Sequence, residues 1–238
     1  MNTAAKVSVI IPTYNHESYI REAVGSVLGQ TYPNIEILVV DDGSTDQTKK
    51  VLAPYLSKIN YIYKANGGTA SALNTGIAGA TGRYISWLSA DDVFRPQKIA
   101  RQVAKMESGP DLGFIYSSFA VIDALGRIQY EIHSPYYSNK KDMVLKLAEG
   151  CFINGSTVMM RKAALEKAGG FDESLAQAHD YDLWLRLIHA FPVGFQDEVL
   201  LNYRWHGKNM SQQPDKACEQ EVNRRAKKLF PEWLGTGN

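Results

Sequence analysis

Apolar runs and amphipathic stretches take turns along residues 1–109. Val7 to Ile11, Ile35 to Val40 and Tyr84 to Leu88 are β-prone runs with little polar alternation, the pattern of strands buried on both faces. Tyr61 to Tyr63 is a shorter one. Between them, Glu17 to Leu28 puts Ile20, Val24, Val27 and Leu28 on one helical face. Ser44 with Gln47 three residues on is a capping box, opening a helix towards Leu56. Thr69 to Ala80 is a helix of small residues, fit for close approach to a sheet or a ligand. Gln97 to Ser108 is amphipathic through Ile99, Val103 and Met106. This alternation of strand and helix predicts an α/β fold, a mainly parallel central sheet with helices on both faces.

The rhythm changes after Gly109-Pro110. Phe114 to Ile122, a turn at Asp123 to Gly126, and Arg127 to Glu131 read as a hairpin. His133 to Asn139 is a polar, tyrosine-rich loop, Lys140 to Glu149 a short helix and Ser156 to Arg161 a strand. Gly169-Gly170 closes the helix that follows. Asp180 to His189 is an amphipathic helix burying Tyr181, Trp184, Leu185 and Ile188, and Val199 to Tyr203 is the last strand. Lys216 to Phe230 is a basic helix with Cys218, Val222, Ala226 and Leu229 on one side. The division expected is one domain over residues 1–211, with a first half (1–109) that looks like a nucleotide-binding half and a second (110–211) that finishes the site. A C-terminal helix and tail (212–238) follow.

Composition narrows the class without choosing it. Apolar content of 45% and charged content of 21% are those of a soluble globular protein. A net charge of +1 gives no field for nucleic acid, so no nucleic-acid partner is expected. Cys151 and Cys218 match no metal or redox spacing. The start, Met1 to Lys6, lacks the apolar core of a signal peptide, and no later run is long enough to span a bilayer. The expectation is a cytoplasmic protein.

Chemistry gathers at the strand ends. Tyr84 to Leu88 leads into Asp91-Asp92, and Ile35 to Val40 leads into Asp41-Asp42. In an open α/β sheet the carboxyl ends of strands frame the ligand crevice. Two acids there can hold a hard divalent cation that bridges to phosphate oxygens; a solvated Asp-Asp turn is the plainer alternative. A carboxylate at Asp41 can accept from the imide N–H of uracil or thymine, or from ribose hydroxyls, and Tyr14 offers a face for a base. Neither G-x-G-x-x-G nor G-x-x-x-x-G-K-[ST] occurs, which argues against a Rossmann dinucleotide site and a P-loop.

These residues belong to an ordered series. Val7 to Asn15, Val39 to Asp46, Asn66-Gly67-Gly68, Ser89 to Asp92, Gly169 to Glu173, His179 to Leu187 and Tyr203 to His206 together resemble the family 2 glycosyltransferases. The resemblance covers nearly the whole chain to about Ser211. It implies an A-type glycosyltransferase fold, a nucleotide-diphosphate sugar donor and inversion at the anomeric centre. By the same resemblance Thr13, Tyr14, Glu17 and Asp41 would form the base and ribose pocket, with Asn66 and Gly67 as its far wall. Ser89, Ala90 and Asp91 stand where the family has its D-x-D element, with Asp92 beside them. A serine in the first place brings no charge and should weaken cation affinity. His206 would complete a divalent cation site, Mn²⁺ or Mg²⁺, and an imidazole suits Mn²⁺ better. Asp180 would be the catalytic base, with His179 where the family often has glutamate. A helix N-terminus would keep Asp180 ionised, although an N-cap aspartate is the structural alternative.

The acceptor, a glycan or a lipid-linked hydroxyl compound, would lie against the second half, where Asn154, Trp184, Tyr136 and Tyr137 are candidates. Arg224, Arg225, Lys227 and Lys228 beside Leu229, Phe230 and Trp233 could rest on the inner face of an anionic membrane. A solvated helix packed through Leu229 is the plainer reading. Two rivals remain at this stage: a sugar nucleotidyltransferase, disfavoured because Pro12 to Asn15 is not a Gly-rich basic loop, and a non-catalytic sugar-nucleotide-binding subunit.

Overall fold

The computed structural model describes residues 4–207, 209–212 and 215–235. Residues 1–3 of the start and 236–238 of the expected tail lie outside that set. The first half runs β1 (Val7–Thr13), α1 (Ile20–Leu28), β2 (Ile35–Asp41), α2 (Thr48–Leu52), β3 (Asn60–Tyr63), α3 (Thr69–Gly79), β4 (Tyr84–Trp87), β5 (Val93–Phe94) and α4 (Lys98–Ser108). The second runs β6 (Phe114–Ile122), β7 (Ile128–Ile132), α5 (Lys140–Glu149), β8 (Met159–Arg161), α6 (Lys162–Ala168), α7 (His179–Ala190), β9 (Val193–Arg204), α8 (Lys216–Leu229) and α9 (Pro231–Leu234). One sheet, ordered β3-β2-β1-β4-β8-β6-β9-β5, crosses both halves, with β7 paired to β6. β1 to β4 are mutually parallel, β8 runs against β4 and β6, and β9 is parallel to β6. Strand β5 belongs to the first half by sequence, yet it pairs with β9 of the second.

Strand alternation sorts the core into two layers. Val7, Val9 and Ile11 point into one, with Ile20, Val24 and Ile99. Ile10 points into the other, with Leu73, Trp184 and Val222. The small-residue helix α3 lies on β1 itself, since a Cβ on Gly76 would fall 2.4 Å from the Ile10 side chain. Burying one valine or isoleucine is worth about 1.5–3 kcal/mol, more than the roughly 1 kcal/mol that a mid-helix glycine costs. Packing therefore decides that segment.

Three expectations shift. The capping box does not form: α2 starts at Thr48, whose N–H is taken by Asp46 Oδ1 (2.9 Å), while Ser44 Oγ accepts from Asn15 N–H (2.9 Å). The strand foreseen from Ser156 begins only at Met159, after a 3₁₀ turn at Gly155–Thr157. The C-terminal helix packs onto the domain, as the plainer reading had it, but by more than Leu229. Val222, Ala226 and Phe230 are buried in the second core layer, and Leu229 and Trp233 pack against it. Arg225 of α8 reaches Asp172 (2.7 Å) and Asp182 (3.1 Å). The apolar side once free for a membrane is thus occupied, leaving Arg224, Lys227 and Lys228 exposed. No helix among the described residues is long and apolar enough to cross a membrane.

Glu36 ties β1 and β2 to the turn before β4. Burial alone would raise its carboxyl, but hydrogen bonds from Lys6, Ser8 and Thr81 outweigh this and hold it at about 2. A carboxylate depressed on folding stabilises above its unfolded value near 4.3, and that contribution fades as pH falls through the folded one. Wild type should lose stability between about pH 4.5 and 2 more steeply than Glu36→Gln. Urea melts across that range would refute this if the two proteins ran parallel.

Candidate active site

All the expected site residues of the first half lie at the carboxyl ends of β1, β2, β3 and β4 or in the loops just beyond. Parallel pairing aligns Thr13 with Asp41 at the sheet's rim. Past that rim the two loops are stitched together. Asn15, in a left-handed conformation (φ 56), accepts from Thr45 N–H at 2.8 Å, and Glu17 Oε2 accepts from Gln47 N–H at 2.7 Å. One carboxylate oxygen of Glu17 thus helps to hold the loop. Asp41 is buried, with Oδ1 accepting from Ser44 N–H (2.8 Å) and Oδ2 from Tyr61 O–H (2.6 Å). It shapes the pocket wall. Tyr14, 46% exposed, is the open aromatic face, and Thr13 is buried behind it with an unpartnered hydroxyl.

Asp42 was foreseen only as one half of an Asp-Asp pair. Its carboxylate accepts from the N–H groups of Gly67 (3.0 Å) and Gly68 (2.7 Å) and pairs with Lys64 (2.7 Å). Asn66 Nδ2 donates to the Asp42 carbonyl at 3.0 Å. The Asn66-Gly67 wall is thus hung on Asp42, which places it beside the β2 end.

Asp91 and His206, 115 residues apart in sequence, meet: His206 Nε2 lies 3.0 Å from Asp91 Oδ2, and both side chains are largely buried. Asp92 does not join them. Its Oδ1 accepts from Arg204 N–H (3.0 Å), and the residue is 1% exposed. Burial and the neighbouring Asp91 charge push its carboxyl well above the usual range. The two acids lie in a turn past the end of β4, closed by Asp92 N–H donating to the Ser89 carbonyl (3.0 Å), and leave it in different directions, Asp91 towards His206 and Asp92 towards Arg204. Ser89 is held by Ser156, to whose Oγ its N–H donates (3.0 Å), and the Ala90 side chain is buried in the first core layer.

Asp180 stands in the first turn of α7, after Ala178 in a left-handed conformation (φ 55). Its Oδ1 accepts from Tyr181 N–H at 2.8 Å, and it enters no ion pair among the described residues. His179 beside it is buried against Trp87 at the end of β4 (ring centroids 6.0 Å apart), which sets Asp180 near that strand end. Burial lowers the His179 pKa, favouring a neutral ring, and neither ring nitrogen has a partner. Cys151 is close enough to feel the Asp180 charge, so the Cys151 to Asn154 segment borders the same place.

Trp184 corrects an expectation. It is fully buried and stacked on Phe114 (5.3 Å), because α7 is covered on both sides, and its ring offers no face to an acceptor. Asn154 is half-buried, its Oδ1 accepting from Ser156 N–H at 2.9 Å. Arg204, quoted in a motif but given no role, is the hub that sequence reasoning missed. It donates to the Asp91 carbonyl (2.8 Å) and to the carbonyls of Asp123 and Ala124 (3.2 Å each), and pairs with Glu22.

The family model described as Glycosyl transferase family 2 matches residues 8–169. An uncharacterized glycosyltransferase of Rickettsia prowazekii (strain Madrid E) is 42% identical over 203 residues, covering 84% of this chain and 64% of that protein. The chain therefore spans less than two thirds of that relative's length. Staphylococcus aureus TarS 1–349, solved in complex with UDP-GlcNAc, matches with a TM-score of 0.76 at 20% identity, covering 96% of this chain and 67% of that one. The mannosyltransferase PcManGT from Pyrobaculum calidifontis, in complex with GDP-Man and Mn²⁺, matches with a TM-score of 0.66 at 18% identity, covering 99% and 73%. These structural likenesses establish the fold, which is the A-type glycosyltransferase fold that the motif series implied. The chain belongs to glycosyl transferase family 2.

Proposed function

We propose that this domain transfers a sugar from a nucleotide-diphosphate sugar to an acceptor hydroxyl with inversion. The observation that carries the reading is the meeting of Asp91 and His206 at the rim of the β4 crevice. Two donors on one divalent ion, each at about 2.1 Å and at a right angle, sit about 3 Å apart, and this pair stands at 3.0 Å. That spacing, also the spacing of a hydrogen bond, would let the two side chains share Mn²⁺ or Mg²⁺; among the described residues no third His, Cys, Asp or Glu joins them, so the remaining ligands would come from the diphosphate and water. When bound, such a cation would stabilise charge on the departing nucleotide diphosphate. Tyr14 would face the base, with Thr13, Asp41 and the Asn66-Gly67 wall closing the pocket. Asp180 would take the acceptor proton as that oxygen attacks the anomeric carbon. Asn154, Tyr136 and Tyr137 are the acceptor-side candidates left by the burial of Trp184, Tyr136 being exposed.

The base is tested by a thermal-shift panel. A strand-end carboxylate suits an imide N–H, so UDP or TDP should stabilise the protein more than GDP or ADP. A nucleotide at a hundred times its dissociation constant adds about 2.7 kcal/mol. Greater stabilisation by GDP would reassign the base, as the GDP-Man complex of PcManGT makes concrete. No stabilisation by any nucleotide, with or without Mn²⁺, would sink the proposed function.

The reading places the domain in the cytoplasm, serving a glycan or a lipid-linked acceptor at the inner membrane face. Arg224, Lys227 and Lys228 supply the contact that α8 has left, each basic group near an anionic surface being worth about 1 kcal/mol. Replacing all three by glutamate should abolish co-sedimentation with vesicles containing anionic lipid. Equal pelleting of the two proteins would end the membrane idea.

A further inference from the structure

Tyr19, the residue that opens α1, touches both sides of the candidate cation site. Its ring stacks on His206, with centroids 5.1 Å apart and planes inclined by 29°. The Arg204 guanidinium carbon lies 4.8 Å from the same ring centroid. Arg204 in turn donates Nε–H to the Asp91 carbonyl at 2.8 Å, and its N–H binds Asp92 Oδ1 at 3.0 Å. One aromatic ring thus braces the imidazole directly and the Asp91 loop through a single guanidinium.

That bracing answers a geometric need. His206 lies beyond the end of β9, where no ladder fixes its ring plane. An imidazole useful to a cation must aim one nitrogen at a fixed point, and here Nε2 is aimed at Asp91 Oδ2. A stacked neighbour restricts rotation of the ring about its last side-chain bond without using either nitrogen. We infer that Tyr19 is a positioning residue for the Asp91–His206 cation site, acting through its ring and not through its hydroxyl. The inference rests on the reading of those two side chains as cation ligands. It predicts selective behaviour: cation affinity should follow the aromatic ring at position 19, while the fold should not, because Tyr19 is only half-buried.

The experiment titrates Mn²⁺, alone and with excess UDP, into wild type, Tyr19→Phe and Tyr19→Leu, reading free Mn²⁺ by electron paramagnetic resonance. Thermal unfolding in EDTA runs alongside. Stacked aromatic pairs contribute on the scale of about a 3- to 10-fold change in an equilibrium constant. Tyr19→Phe should bind within about twofold of wild type. Tyr19→Leu should bind about 3- to 10-fold more weakly, with its unfolding midpoint in EDTA unchanged. Should the leucine variant not fold, Tyr19→Gln replaces it. Wild-type affinity in the leucine or glutamine variant overturns the inference and leaves the cation reading standing. Equal weakening in Tyr19→Phe overturns it too, by moving the effect to the hydroxyl. A wild type that binds no Mn²⁺ under either condition removes the cation reading, and the inference falls with it.

Discussion

Asp180→Asn is expected to lose sugar transfer by at least about 100-fold while keeping its fold and its donor affinity. General base catalysis is typically worth about 10²–10⁴-fold, and the amide retains shape while losing basicity. Three carboxylates lie near this end of the molecule, and the structure separates them. Asp182 is gripped by Arg186 (2.7 Å) and Arg225 (3.1 Å), and Asp172 pairs with Arg225 (2.7 Å). Hydrogen bonds from Ser174 and Arg225 hold the Asp172 carboxyl at about 2. An acid locked into ion pairs makes a poor base, because accepting a proton forfeits those pairs. Among the described residues Asp180 accepts only a backbone N–H of its own helix. Asparagine can accept the same bond, so stability should hardly move. Unfolding or release of nucleotide by Asp180→Asn would make the residue structural or part of the donor site. Full transfer by the variant would remove the proposed base.

The second large effect is expected at Asp91. Asp91→Ala should abolish Mn²⁺-dependent nucleotide binding, and His206→Ala should weaken it by a smaller step, since an imidazole brings no negative charge to the ion. Ser89→Asp should tighten Mn²⁺ by restoring a carboxylate to the first place of the element, provided Ser156 releases it; at present the Ser89 N–H and Oγ lie 3.0 and 3.2 Å from Ser156 Oγ. Isothermal titration of Mn²⁺ with UDP into the three variants is the measurement. Indifference to all three changes would put the cation elsewhere or remove it. The control is Asp92→Asn: with its carboxyl turned to Arg204 N–H, this change should act on stability before it acts on the cation.

Strands β1, β2 and β4 were legible because a run buried on both faces leaves an uninterrupted apolar signature. Strand β9 was legible only from Val199 onward. Its first half carries Gln196-Asp197-Glu198, where the register with β6 slips and polar side chains leave the ladder. Two residues of β5 are too few for any periodicity. The motif series singled out the candidate residues, but not which partner each acid takes. Asp42 binds amides 25 and 26 residues away, and Asp92 a backbone N–H 112 residues away, pairings that no local pattern encodes. Trp184 had been read both as a buried residue of its helix and as an acceptor contact, and only the first holds: Leu183, Trp184, Leu185, Leu187 and Ile188 are all buried. The stripe did not show that Leu183 and Leu187 would be covered too, which takes the packing of α5, α6 and α8 around α7.

The short antiparallel pairing of β5 with β9, in which Val93 faces Asn202 and Phe94 faces Leu201, governs when the site comes into being. Asp91 sits two residues before that pairing and His206 two residues after β9, so a single late contact sets both donors. Closing a loop of this length costs entropy that only the docked strand repays, and such distant pairings form slowly. A chain halted before Val193 would already carry Asp91, but neither β9 nor His206, so the Asp91–His206 pair is among the last features of the fold that synthesis makes possible.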